Sequence, residues 1–429
     1  MGKTSLLAPR DLEFARGIFS RYYSDTQIPH PLSLARREFA FAQFGSDGSG
    51  PFVRHRAYPD GGAFDKELRR LVPRHLYYSS SLYEVPGHLS MKEKKWLGAE
   101  VIFDLDADHL RDAEGRSYLA QLDLAKERFQ YLLEEFLLGD FGLDEDDIDV
   151  VFSGGRGYHA HVRAEPFLRL TSMERRELVD HIQGVGFQPE QDSFETETGA
   201  IPRIRDGART YRRLATPDTP GWKGRMARAV LKWLDDHQQV DEATMASEVL
   251  DLLSEGRPEV RRGMHRRAQT IAQHLASEKT REAIAGRQTL ESFGSDENRD
   301  LFLSALARRL AIPIQGETDA PVTTDVHRLI RMPGSLHGGT GLRVLPLTRA
   351  ELALFDPLRD ALLPNPSGKT TDVHLLQEVD YAGPSFQLHA SLGAPVRLRE
   401  ELALFLILRG EATVGPPPVP DSTKDGPVQ

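Results

Sequence analysis

Cysteine is absent from this 429-residue chain, and that absence removes disulfides, cysteine-ligated zinc, iron–sulfur clusters and thiol nucleophiles from consideration. It also leaves the redox compartment unread. Long apolar runs are missing too. Nothing approaches the roughly 18 uninterrupted apolar residues a membrane span needs, and Met1–Arg21 lacks the apolar stretch of a secretory signal. A cytoplasmic protein with no membrane partner is expected. Excess positive charge is likewise lacking: 64 acidic against 54 basic residues give a net charge of -10. That balance favours solubility and argues against a chain coated in phosphate-binding charge, while leaving room for local basic patches. Lysine is scarce beside arginine, a bias that genome composition or salt adaptation explains as readily as phosphate recognition. What is present, 39% hydrophobic and 28% charged residues, suffices for a sizeable core in two or more subdomains.

The periodicity predicts an α/β chain without internal repeats. Ala8–Tyr23 reads as a helix, and "REFAFAQFG" (37–45) as a half-buried strand in which Phe39 and Phe41 alternate with polar or small neighbours. Tyr118, Leu122, Ala125, Phe129, Leu132 and Phe136 recur at three or four residues, so an amphipathic helix follows, with Gly139 as its stop. "IDVVFSGGRGYHAHV" (148–162) reads as strand, glycine-rich turn, strand, and "TSME" (171–174) as a capping box opening another helix. The expected organisation is a first part of the core over 1–220, a helical, highly charged subdomain over 221–312, and a second part of the core over 313–412. The tail, 413–429, is too poor in apolar residues to fold alone.

Chemistry enters at "VIFDLDADHL" (101–110). On a strand Asp104 and Asp106 project from one face while Phe103 and Leu105 enter the core. Two carboxylates so close repel unless a cation sits between them, which points to a divalent-metal site of hard oxygen ligands suited to magnesium or manganese. The bland alternative is a solvated strand end whose acids cap the following turn. A sharper rival is the first motif of haloacid-dehalogenase phosphatases. That motif is usually followed by Gly-Thr or Gly-Val near a domain start, whereas here Ala107-Asp108 follows, deep in the chain. In "SGGRGYHAHV", Ser153, Arg156 and His159 surround a turn whose glycines, Gly154, Gly155 and Gly157, let backbone amides approach an anion. Alone this is an ordinary hairpin; downstream of an acidic pair it suggests a metal-bound triphosphate. A third stretch, "TDAPVTTDVHRLIRMPGSLHGGTGLRV" (318–344), adds Asp319, Arg328, Arg331 and His337.

In this order the three stretches resemble the catalytic small subunit of archaeal and eukaryotic DNA primase, with its DxD strand, "SGxRGxHxxV" turn and "RLIRxPGSLHGxTGL" segment. "REFAFAQFG", "YYSSSLYE" (77–84), "FDPL" (355–358) and "LFLILRG" (404–410) also fit, so the resemblance runs to about residue 410. It implies a mixed-sheet α/β core flanked by helices, with a less constant helical subdomain. It implies template-directed nucleotidyl transfer with two magnesium or manganese ions, held by Asp104, Asp106 and Asp319. RNA primers would be made on single-stranded DNA for replication, with deoxynucleotide extension as a further capacity. Nucleoside triphosphates would be gripped by Ser153, Arg156, His159, Arg331 and His337, with Arg37 as a further phosphate contact. A large subunit would complete a heterodimer.

One departure stands out: many members carry a zinc knob ligated by cysteine and histidine between the DxD strand and the glycine turn, which this chain, without cysteine, cannot build. Alternative readings are a primase-like polymerase of end-joining repair, which usually lacks the "RMPGSLHGGTG" wording, and a non-catalytic module on the same fold. Two further expectations concern neighbours of the site. The basic stretch "IPRIRDGARTYRRL" (201–214) is expected near template or nucleotide. Asp319 is preferred over Asp325 as third acid on the resemblance alone, because the two share parity if "PVTTDVHRLI" is a strand.

Overall fold

A computed structural model describes residues 7–45, 50–200, 208–255, 258–290, 293, 295–311 and 319–415. It divides into two compact units, one of Met1–Phe129, Asp144–Arg176 and Thr318–Gln429, the other of Gln130–Leu143 and Glu177–Glu317. The second unit thus takes in residues 130–143 and 177–220, which the alternation of strand and helix patterns groups with the core.

Eight strands of the first unit frame the site: β1 (Phe39–Ala42), β2 (Phe52–Arg56), β3 (His75–Ser79), β4 (Val101–Asp106), β5 (Ile148–Phe152), β6 (Gly157–Val162), β7 (Leu329–Arg331) and β8 (Leu345–Leu347). They form two four-stranded sheets, in the orders β7-β3-β1-β2 and β8-β5-β6-β4. Every strand pair among the described residues is antiparallel. The α/β expectation holds. β1 is not half-buried: Phe39, Ala40 and Phe41 are all inaccessible. Phe39 packs against Tyr58 and Phe64, and Phe41 against Tyr58.

Helix Pro9–Asp25 opens with proline in its first turn and buries Ala15, Ile18, Phe19, Tyr22 and Tyr23. It matters for the site because the Tyr22 hydroxyl donates to the Gly334 carbonyl (2.7 Å) and the Tyr23 hydroxyl accepts from the Leu336 amide (3.2 Å). These bonds fix the loop that carries His337. The capping box at Thr171 and Glu174 forms as the spacing predicts. Helix Tyr118–Tyr131 starts where expected but winds on as a π-helix over Leu132–Asp140, so Gly139 does not end it. Segment 320–324, where the shared parity of Asp319 and Asp325 would need a strand, is a short helix with proline in its first turn. Strand Ala412–Val414 pairs with Thr370–Leu375, so ordered sheet continues two residues into the expected tail. Residues 416–429 lie outside the described residues.

The second unit is built on helices Trp222–Asp236, Glu242–Ser254, Arg261–Ala276, Glu278–Arg287 and Asp296–Ala311. Met226, Val230, Met245, Val249, Ile271, Leu275, Phe302 and Leu303 pack into one apolar core. Among the described residues no helix is long and apolar enough to cross a membrane.

Candidate active site

The register of β4 against β6 sets Asp104 opposite His159 and Asp106 opposite Gly157. Alternation along β4 buries Val101, Phe103 and Leu105 and leaves the two aspartates partly accessible on the other face. Asp104 Oδ1 lies 3.4 Å from His159 Nε2. The Asp106 carboxylate accepts the Asp108 amide (3.0 Å), so part of its capacity serves the turn that follows. Asp319 reaches the same strand from helix 320–324, its amide donating to the Asp104 carbonyl at 3.1 Å. It occupies the N-cap position, yet its carboxylate caps nothing. Burial, followed by the negative charges of Asp106 and Asp319, pushes the Asp104 carboxyl up to about 7, while Arg331 and Arg328 pull it the other way.

Asp325 stands at the opposite end of that helix, where its carboxylate accepts the His327 amide (2.8 Å) and its charge bears on Tyr83 and Arg175. A helix turn between 319 and 325 removes the shared parity a strand would have given them. The acid gathered with Asp104 is Asp319.

The glycine-rich turn between β5 and β6 is held from within and from outside. The Ser153 hydroxyl accepts the amides of Gly155 (3.2 Å) and Gly157 (3.3 Å). Gly154 has φ of +76°, and a Cβ there would sit 2.7 Å from the His337 Cβ, so only glycine allows this approach. Tyr118 donates to the Gly155 carbonyl (2.8 Å) and Thr340 to that of Gly154 (2.5 Å). Arg156 pairs with Asp108 and donates to Gln121 (3.2 Å).

Three histidines flank the group: His159, His337 and His75, the last two meeting edge to face at 5.2 Å. Burial, then the cationic side chain of Arg331 for His75 and His337, and His161 followed by Arg331 for His159, hold all three well below the ordinary imidazole range. They are neutral near pH 7. His337 Nδ1 lies 3.1 Å from the Thr340 hydroxyl and 3.3 Å from the Gly339 amide, which ties its ring to the turn of the same loop.

Arg331, in register with Tyr77 and lying over its ring at 5.6 Å, has a buried Nε without a partner, as have Arg328 at Nε and His159 at Nδ1. Buried donors left unsatisfied beside clustered carboxylates suit an anion accompanied by cations. The donor set of three carboxylates suits a hard divalent ion such as magnesium or manganese. Among the described residues no group of three or more acid or histidine side chains is closed around one metal position.

Arg37 is not brought to this group. It is 3% exposed and donates to the carbonyls of Leu32 (2.7 Å), Ser79 (2.7 Å) and Ser80 (3.4 Å), while pairing with Glu100. Its guanidinium is committed to the fold, within bonding distance of these carbonyls and Glu100 and over the Tyr78 ring at 5.0 Å. Of the basic stretch, Arg203 and Arg205 lie outside the described residues; strand Ala208–Leu214 carries Arg209, Arg212 and Arg213 in the second unit. Sequence reasoning missed His75, a lone histidine in "PRHLYYS" with no motif around it. It also missed Asp108, Tyr118 and Thr340, whose roles depend on partners far away in sequence. The interval between the DxD strand and the glycine-rich turn, where the resemblance would place a zinc knob, holds 3-10 turns at Ala107–His109 and Arg111–Ala113, then helix Tyr118–Tyr131.

A family profile describing the DNA primase small subunit matches residues 103–349, a span that contains every acid and histidine just placed around Asp104 except His75. The chain belongs to the DNA primase small subunit family. The DNA primase small subunit PriS of Methanocella arvoryzae is 37% identical over 408 residues, 94% of this chain and 98% of the relative. That of Methanothrix thermoacetophila is 36% identical, with the same 94% and 98% coverage. That of Halorubrum lacusprofundi is 34% identical over 95% of this chain and 99% of its own length. The family likeness therefore extends through both compact units.

Proposed function

We propose that this chain is the catalytic subunit of a DNA primase, joining ribonucleotides on a single-stranded DNA template and extending with deoxynucleotides. The observation that carries the reading is the gathering of Asp104, Asp106 and Asp319 with His159 beside the glycine-rich turn. Asp104, Asp106 and Asp319 would hold two magnesium or manganese ions. When bound, such ions activate the primer 3'-hydroxyl and neutralise charge at the phosphates. The chain's own residues do the rest. Arg331 and Arg156 supply charge-assisted donors to the triphosphate, and Ser153 keeps the turn in the shape that seats it. His159 and His337, being neutral, donate without adding charge that would compete with the ions. The incoming nucleotide is thereby aligned for attack at its α-phosphate, with pyrophosphate leaving along the arginines.

The relatives' name, small subunit, supports a heterodimer with a primase large subunit. The test is incorporation of labelled nucleotide on a single-stranded template with magnesium or manganese, with and without a primer and with and without that partner. Primer extension by the isolated chain is expected, with starts from nucleotides alone much weaker. No metal-dependent incorporation under any of these conditions would overturn the reading; equal starts without a partner would overturn the heterodimer. End-joining synthesis is the second outcome, recognised by activity only on gapped or paired ends.

A further inference from the structure

Helix Arg261–Ala276 in the second unit has four arginines, two histidines and no acid in a chain whose net charge is -10. Ala268, Ile271, Ala272 and Leu275 are buried in the unit's core, which fixes the opposite face outward. On that face Arg262, Arg266, Gln269 and Gln273 succeed one another at helical spacing, all exposed. Arg261 pairs with Asp251, and Arg267 with Glu297 at 3.2 Å. Arg262, Arg266 and the adjacent His265 have no ion pair among the described residues.

This arrangement works against its own helix. Arg262 in the first turn opposes the positive end of the backbone dipole with no acid of its own helix to offset it, and Arg262 and Arg266 repel as like charges four residues apart. A polyanion laid along the face relieves both effects. We propose that this face is a contact surface for the sugar–phosphate backbone of a single-stranded nucleic acid, Arg262 and Arg266 meeting phosphates and Gln269 and Gln273 continuing the row. From Arg262 to Gln273 the face runs about 16 Å, room for several phosphates of an extended strand. The inference rests on the primase reading, which supplies the strand as template.

The experiment is fluorescence anisotropy of the full chain with a labelled single-stranded oligodeoxynucleotide over a series of salt concentrations. Wild type is compared with R262Q/R266Q and R262K/R266K, and each protein's melting temperature is recorded. The glutamine variant is expected to bind about tenfold more weakly at low salt. Its log–log salt slope should be shallower by about 0.7 for each arginine removed. The lysine variant should stay close to wild type, and neither should melt lower. A glutamine variant that binds with unchanged affinity and slope, or melts lower than wild type, overturns this inference and leaves the primase reading intact. Displacement of the strand by polyglutamate at equal charge assigns the face to acidic protein segments and overturns it too. A wild-type chain that binds no strand overturns both.

Discussion

Glu38 and Glu100 lie deeper in the first unit than Asp104, with side chains 1%, 5% and 18% exposed respectively, yet it is the Asp104 carboxyl that is pushed up. Burial raises all three. Around Glu38, burial is overcome by hydrogen bonds from Arg54 (2.9 Å), Lys94 (3.0 Å) and the His55 amide (3.0 Å), which hold its carboxyl below the ordinary value. Around Glu100 the same is done by Arg37 and then His161. Asp104 has carboxylates where those two have cations. Burial therefore does not by itself decide which way a carboxyl moves; the sign of the neighbours does.

The comparison breaks most easily at the acids themselves. Replacing Asp104 and Asp106 by alanine should lower nucleotide incorporation by about 10³-fold or more, the scale of several kcal/mol of lost transition-state stabilisation. The melting temperature should stay level or rise, because carboxylate repulsion goes with them. Substantial synthesis by a well-folded double variant would end the metal-site reading. Asp319→Ala should lose nearly as much, and Asp325→Ala about tenfold at most; the reverse ranking in a metal-dependent extension assay would move the third acid to Asp325.

The paired acids should respond in stability instead. Glu38→Ala strands the wholly buried Lys94 ammonium, and removing one partner of a buried pair costs about 3–5 kcal/mol. Urea unfolding should show that loss, with specific activity per folded molecule retained. For Arg37→Ala the same contrast is expected, a lower unfolding midpoint with the KM for nucleotide unmoved. A raised KM at unchanged stability would return Arg37 to the phosphates.

The smallest effect is in pH. The Glu38 carboxyl is held below its ordinary value of 4.5, so its stabilisation is present above that value and is lost as pH falls through and below it. Glu38→Gln should flatten the acid limb of a melting-temperature profile. An unchanged acid limb would show that the cluster does not hold its charge in the folded state.

Legibility from sequence followed the range of the forces involved. Helix 9–25, the β5–turn–β6 hairpin and the Thr171 capping box depend on contacts within a few residues, and they formed where periodicity placed them. The Asp104–Asp106 pair was readable because strand alternation is local. Arg37 misled because its motif says nothing about Glu100, 63 residues away, or about the carbonyls of Ser79 and Ser80 that absorb its donors.

By itself, then, the sequence determined the chemistry on offer: no thiols, a close pair of carboxylates on one strand face, a glycine-rich turn between two strands, and arginines and histidines in a recurring order. Those follow from residue type and short-range geometry. Only the tertiary structure decided which of these groups meet. Helix 320–324 brings Asp319 to the Asp104 carbonyl and turns Asp325 away, and the pairing of β7 with β3 sets Arg331 over Tyr77 near three neutral histidines. A carboxyl or guanidinium does not encode its neighbours. Burial and the charges packed around it set whether it holds the fold together or remains available for a ligand.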